Sequence, residues 1–155
     1  MKLNQLALKY AIGELGKTEV PLGSNWGPHV KKYLKSVNIP FPAAWCAAFV
    51  YWCFDMATDE LNVHNDVPKT GGVLQMWKAV PQKYKIFADP KPGDILVMDF
   101  GKGLGHMCFV EKVDPTFCYT IDGNSNDSGS REGIEVTRKQ RPRKDKKIIG
   151  YLRFE

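Results

Sequence analysis

Apolar positions in the first half of the chain recur at helical spacing. Leu3, Leu6, Ala7, Tyr10, Ala11 and Leu15 share one face, which predicts an amphipathic helix over 3–15 stopped by Gly16. "SNWGPHVKKYLKSVN" places Pro28 at a first helical turn, followed by Val30, Tyr33, Leu34 and Val37 on one face, a second helix. Residues 46–57 are apolar on nearly every side and read as a central helix buried all round. "TGGVLQMWKAV", 70–80, is a fourth helical stretch. After the turn cluster "DPKPGD" the chain becomes strand-like, over 95–100, 106–113, 117–122, 134–138 and 148–154. Helices first and strands second predict an α+β fold, with N-terminal helices packed on a C-terminal antiparallel sheet. No repeat, low-complexity tract or linker interrupts the pattern, so residues 1–155 are expected to form one domain.

Composition narrows the class. Hydrophobic residues at 43% and charged residues at 25% fit a globular protein and exclude a disordered, collagenous or coiled-coil chain. The longest apolar run, Ala43 to Phe54, falls short of the roughly 20 residues a spanning helix needs, so no membrane span is expected. The N-terminus is interrupted by Gln5, Lys9 and Glu14 and does not read as a signal peptide. A net charge of +5 owes much to "RKQRPRKDKK", 138–147, which is either a solvated loop or a patch attracted to an anionic polymer. The four cysteines contain no CxxC pair and the three histidines stand at no ligand spacing. Free thiols, no metal and no cofactor are therefore expected.

One stretch raises a chemical question. "FPAAWCAAFVYW" places Cys46 where a proline-bearing loop meets the most apolar helix. Packing is the ordinary role of such a thiol, but at a helix N-terminus the dipole and the unpaired N–H groups would favour a thiolate. A nucleophilic cysteine also needs a histidine and a group to orient it. His29 and His64 lie in stretches suited to surface or capping roles, whereas His106 opens a strand directly after "GKGLG". If 106–113 and 117–122 pair about a turn centred near Asp114, opposed residue numbers sum to about 228 and Asp122 faces His106. Asn124, two residues on, is an alternative partner for the histidine, or simply part of the turn-rich "DGNSNDSGS".

In order, "WCAAFV", "KPGDILVM", "GHMCFVEKV" and "TIDGNSN" followed by "REGIEVTRKQR" resemble the CHAP family, the cysteine, histidine-dependent amidohydrolases/peptidases of cell-wall lysis. The similarity runs from about Leu3 to Phe154. It implies a papain-like fold with Cys46 as nucleophile, His106 as general base, Asp122 orienting His106 where many relatives have glutamate, and Asn124 at the family's asparagine position. Two departures stand out. Asp122 is a methylene shorter than glutamate, and Cys108 replaces a residue that is often glycine, on the same strand face as His106. Cys53 and Cys118 are expected in the core. Calcium, bound by some relatives, is not expected without an Asp-rich loop.

The resemblance implies hydrolysis of an amide in peptidoglycan, either the bond joining muramic acid to L-alanine or one in the stem or cross-bridge peptides. Trp45, next to Cys46, is expected to wall the cleft, and 138–147 to meet anionic wall polymers. No nucleic-acid partner is expected, and the chain is expected to be a monomer. Action on the wall would need a holin-like pore, a secretion machine or a signal outside this chain. Two alternatives are a transferase or deamidase acting on a protein amide, and a non-catalytic basic binding module.

Overall fold

The computed structural model describes residues 1–124 and 134–155. Four helices come first: α1 (Leu3–Gly13), α2 (Pro28–Ser36), α3 (Cys46–Leu61) and α4 (Val73–Ala79). Six strands follow: β1 (Lys85–Ile86), β2 (Ile95–Gly101), β3 (Leu104–Val113), β4 (Phe117–Asp122), β5 (Thr137–Pro142) and β6 (Ile148–Leu152). They form one antiparallel sheet in the order β1-β6-β2-β3-β4-β5. The fold is α+β and papain-like, with helices grouped before the sheet.

Helix α3 is buried over most of its length because residues 46–54 leave it no polar face. Ala47, Ala48, Phe49, Cys53, Phe54 and Ala57 are all fully buried, and the helix packs on α1, α2 and β3. The small alanines admit close neighbours, while the rings of Tyr33, Trp45, Phe49, Phe54 and Phe109 meet edge-on or stacked across the core. Ile95, Val97, Met107, Phe109, Ile121 and Leu152 are the buried strand residues that face this core.

Alternate positions on the same strands build a second core. Leu96, Met98, Cys108, Val110, Cys118 and Tyr151 cluster on the sheet's other face. Two contacts show how that face is covered without helices. Cys118 Sγ on β4 lies 3.8 Å from Tyr151 Oη on β6, and Arg141 Nη1 on β5 lies 3.4 Å from Met98 Sδ on β2. Each pair is three strand spacings apart, about 14 Å along a flat sheet at about 4.8 Å per strand. The sheet is therefore strongly curled, and the concave face closes on itself.

Two expectations about strands are corrected. The strand expected at 134–138 begins only at Thr137 and runs on to Pro142, through residues read as a loop. Ile134 and Val136 instead bond the loop after α1, through Glu19 N to Ile134 O and Val136 N to Lys17 O. The basic segment 138–147 is thus partly a sheet strand: its alternation turns Arg141 into the concave core while Arg138 and Gln140 are exposed. Charge masked the strand, because an edge strand with one wet face needs no apolar alternation outside.

The β3–β4 hairpin is also offset from its expected register. Phe109 pairs with Ile121 and Val110 with Thr120, numbers summing to 230 rather than 228. Beyond Glu111 the register shifts again, so that Lys112 meets Tyr119 and Val113 meets Cys118. The turn lies later than Asp114, whose carboxylate accepts hydrogen bonds from Thr116 N and Phe117 N, and a bulge at Glu111 adds a residue to β3. On the His106 side of the bulge the offset of two is even and leaves the side chains there on their expected faces.

Candidate active site

Three segments carry the candidate residues. Cys46 is the first residue of α3, 4% exposed, with Trp45 before it at the helix cap. His106 is the third residue of β3, and Asp122 ends β4. The offset register places Asp122 across from Cys108 and diagonal to His106, still within side-chain reach. His106 Nε2 and Asp122 Oδ2 are 2.7 Å apart, both residues buried.

Glycines on β3 and just past β4 let this happen. A Cβ on Gly105 would stand 2.9 Å from Met98 O and from Val73 Cγ1 of α4. One on Gly123 would stand 2.8 Å from Trp45 and 2.9 Å from Phe49. Only residues without a side chain let β3 and β4 close on the helices at the positions flanking His106 and Asp122.

The histidine's tautomer follows from its partners. A carboxylate only accepts, so Nε2 carries the proton donated to Asp122. Nδ1 is buried and has no hydrogen-bond partner. Burial by itself pushes the imidazole pKa down; the hydrogen bond to Asp122, then the Cys108 and Cys46 thiols, outweigh it and hold His106 well above the ordinary 6.5. Burial likewise pushes Asp122 up, but the His106 hydrogen bond and charge, Arg141 and Thr120 bring it down to about 2. Asp122 is an anion held by three donors: His106, Thr120 Oγ1, and Arg141 Nη2 at 2.5 Å.

The two site cysteines differ. Cys108 is fully buried on the strand, and burial, then the Asp122 charge, raise its thiol against the opposing effects of Arg141 and His106. Cys46 sits at the amino end of a sixteen-residue helix, where backbone N–H groups lack intrahelical partners and the dipole favours an anion. A thiol in that position beside an imidazole can be deprotonated, attack a carbonyl, and have the oxyanion met by backbone N–H groups.

The remaining expectations divide. Asn124 is buried beside Asp122, with φ of 33°, and its Nδ2 donates to Asn25 Oδ1 at 3.3 Å. The rest of "DGNSNDSGS" lies outside the described residues. Trp45, expected as a cleft wall, is fully buried and stacked on Tyr33, and its indole donates to Glu19 Oε2 at 2.7 Å. His64 is exposed near Asp66, and His29 lies in the first turn of α2, both away from this cluster. Cys53 is buried within the helix core and Cys118 lies beside Tyr151.

Sequence reading missed Arg141, Thr120 and Glu19. Thr120 was within reach, since it precedes Asp122 by two and so shares its face. Arg141 was hidden in a run of seven cations, and Glu19 in an irregular loop.

A family model described as the CHAP domain matches residues 38–124, more than half of the chain and the part that holds Cys46, His106 and Asp122. No curated protein and no solved structure matches the chain.

Proposed function

Because the chain belongs to the CHAP domain family, whose members are cysteine- and histidine-dependent amidohydrolases or peptidases, we propose that it hydrolyses an amide bond of peptidoglycan through a thioester acyl-enzyme. The observation that supports this most is the buried His106–Asp122 pair with its free Nδ1, beside the thiol that opens α3.

In this reading Cys46 is the nucleophile. His106 Nδ1 takes the thiol proton, and Cys46 Sγ attacks the amide carbonyl to give a tetrahedral oxyanion at the amino end of α3. The imidazolium returns its proton to the leaving amine, the C–N bond breaks, and a thioester remains on Cys46. Water, deprotonated by neutral His106, then cleaves the thioester and regenerates the thiol. Asp122 touches no substrate: it fixes the ring and stabilises the imidazolium, helped by Thr120 and Arg141. Asn124 contributes polarity at the rim, close to the oxyanion.

The bond is either that joining muramic acid to L-alanine or one within the stem or cross-bridge peptides. The whole chain, 1–155, acts as one catalytic unit on the bacterial wall, as a monomer, and the exposed cations of 138–147 add attraction to anionic wall polymers. No described helix is long and apolar enough to cross a membrane.

Digestion of isolated sacculi with product mass spectrometry tests the reading. It expects soluble muropeptides bearing either a freed lactyl carboxylate or a new peptide amine. Intact sacculi of several peptide chemotypes after prolonged digestion would overturn it.

A further inference from the structure

The loop between α1 and α2 touches both sides of the candidate site, although the acyl-transfer steps use none of its residues. Its backbone is tied on one side by Gly16 N to Val136 O, Val136 N to Lys17 O and Glu19 N to Ile134 O, and closed on itself by Val20 N to Trp26 O. The closure requires Gly27: φ there is 115°, and a Cβ would stand 2.6 Å from Val20 N. From this frame two side chains reach the site. Asn25 Oδ1 accepts from Asn124 Nδ2 at 3.3 Å, and Glu19 Oε2 accepts from the Trp45 indole at 2.7 Å. We propose that Glu19 is a positioning residue for acyl transfer: through the Trp45 indole it holds the first turn of α3, and with it the Cys46 thiol, against the strand end that carries Asp122.

Trp45 can transmit such a hold in two directions. It caps α3 and is joined to Cys46 by one peptide bond, and its carbonyl accepts a helix hydrogen bond from Phe49 N at 2.8 Å. Its ring also lies against the end of β4, since a Cβ on Gly123, the residue after Asp122, would stand 2.8 Å from Trp45 Cζ3. Tyr33 stacks on the indole at 5.5 Å between centroids, and Phe49 meets it edge-on at 6.4 Å. Such packing is non-directional and leaves the ring free to slide in its own plane, whereas a hydrogen bond at Nε1 fixes one point of its edge. A sliding indole would shift Cys46 and press on Gly123 together.

Stability alone is a poor reason for Glu19. The residue is 2% exposed, and its Oε1 is buried with no hydrogen-bond partner. An unsatisfied buried polar atom costs free energy that a small apolar residue in this loop would avoid. What the carboxyl group supplies in return is an acceptor placed at the Trp45 nitrogen.

The proposal rests on Cys46 being the nucleophile, and thiol alkylation tests it apart from wall hydrolysis. Glu19→Ala, Glu19→Gln, Trp45→Phe and the double variant of Glu19→Ala with Trp45→Phe are compared with wild type, per folded molecule. The readouts are kcat and KM on soluble wall fragments and the rate of Cys46 alkylation by iodoacetamide. Glu19→Ala is expected to lower kcat on the order of 10²-fold with KM within about twofold, the effect of a misplacement of roughly 1 Å. Alkylation of Cys46 should slow about tenfold as the thiol leaves the imidazole that activates it. Glu19→Gln keeps an acceptor oxygen at the same reach and should stay within about threefold of wild type in both readouts. Trp45→Phe loses the indole N–H and should repeat the Glu19→Ala losses, with the double variant no worse than the poorer single because both break one contact. Wild-type kcat and alkylation in folded Glu19→Ala, a Glu19→Gln no better than Glu19→Ala, or losses that multiply in the double variant would overturn the proposal. If Glu19→Ala does not fold, wild-type values in Trp45→Phe overturn it. A chain that never cleaves wall, but whose Cys46 alkylation slows in Glu19→Ala, overturns the hydrolase reading and keeps the hold on the thiol.

Discussion

Two buried aspartates are each paired with an arginine from a distant strand or tail, yet they are built for different ends. Asp94, at the turn into β2, receives both arms of the Arg153 guanidinium, Nε to Oδ1 and Nη2 to Oδ2, each at 2.8 Å, plus Lys91 N at 2.8 Å. The fork saturates both oxygens and ties the C-terminal segment to the sheet. Asp122 receives Arg141 on one oxygen only, and shares that oxygen with His106. The first arrangement leaves nothing for chemistry. In the second the arginine compensates the buried charge and the carboxylate is left directed at a ring.

Substitutions that break the two pairs should separate these roles. Asp122→Ala carries the largest expected effect: kcat/KM on wall fragments falls on the order of 10⁴-fold, since the ring loses its tautomer and its counter-charge, and Arg141 is left buried without that partner. Asp94→Ala should cost about 3 kcal/mol in denaturant unfolding, at the low end for a broken buried pair because the Arg153 side chain is 18% exposed and can turn to water. Its folded fraction should keep the wild-type kcat/KM. Loss of activity from Asp94→Ala equal to that from Asp122→Ala would erase the distinction.

The pH dependence sharpens it further. With His106 held well above 6.5, the alkaline limb of kcat/KM lies well above that value. Asp122→Asn removes the raising partner and moves the limb down, whereas Arg141→Met removes an opposing positive charge and moves it up. Stability follows the same signs. The raised His106 contributes fully below its ordinary 6.5 and loses that contribution as pH rises through its folded value. The lowered Asp122 contributes above its ordinary 3.8 and loses that as pH falls through about 2. These are one interaction seen from two partners, so its full stabilisation spans about 3.8 to 6.5. The smallest effect belongs to Arg138→Ala at the exposed Glu111 pair, whose denaturant midpoint should match that of the wild type.

How far the chain could be read follows from which forces set each part. Helices α1 to α3 announce themselves because burial of one face, or of all faces in α3, imposes a period on the sequence. Strand pairing was legible in face but not in register. The turn and the Glu111 bulge are set by hydrogen bonds of Asp114 and by an unpaired residue, neither of which leaves a hydrophobic mark. Because the offset was two, Asp122 still fell on the side of His106. Arg141 was illegible for a deeper reason: its burial depends on the curl of the sheet, which brings β5 to β2, and curl is a tertiary property. The Trp45–Glu19 hydrogen bond was illegible because its acceptor lies in an irregular loop that carries no periodic signal.

Alkylation of the native, reduced protein by iodoacetamide, followed by peptide mapping, identifies which thiol is the nucleophile. Cys46 is expected to be modified first, one label per chain, with activity lost in step and the reaction slowed in Asp122→Asn, while Cys53, Cys108 and Cys118 react only after unfolding. First modification of Cys108, or equal labelling of all four thiols with activity retained, would contradict Cys46 as the nucleophile.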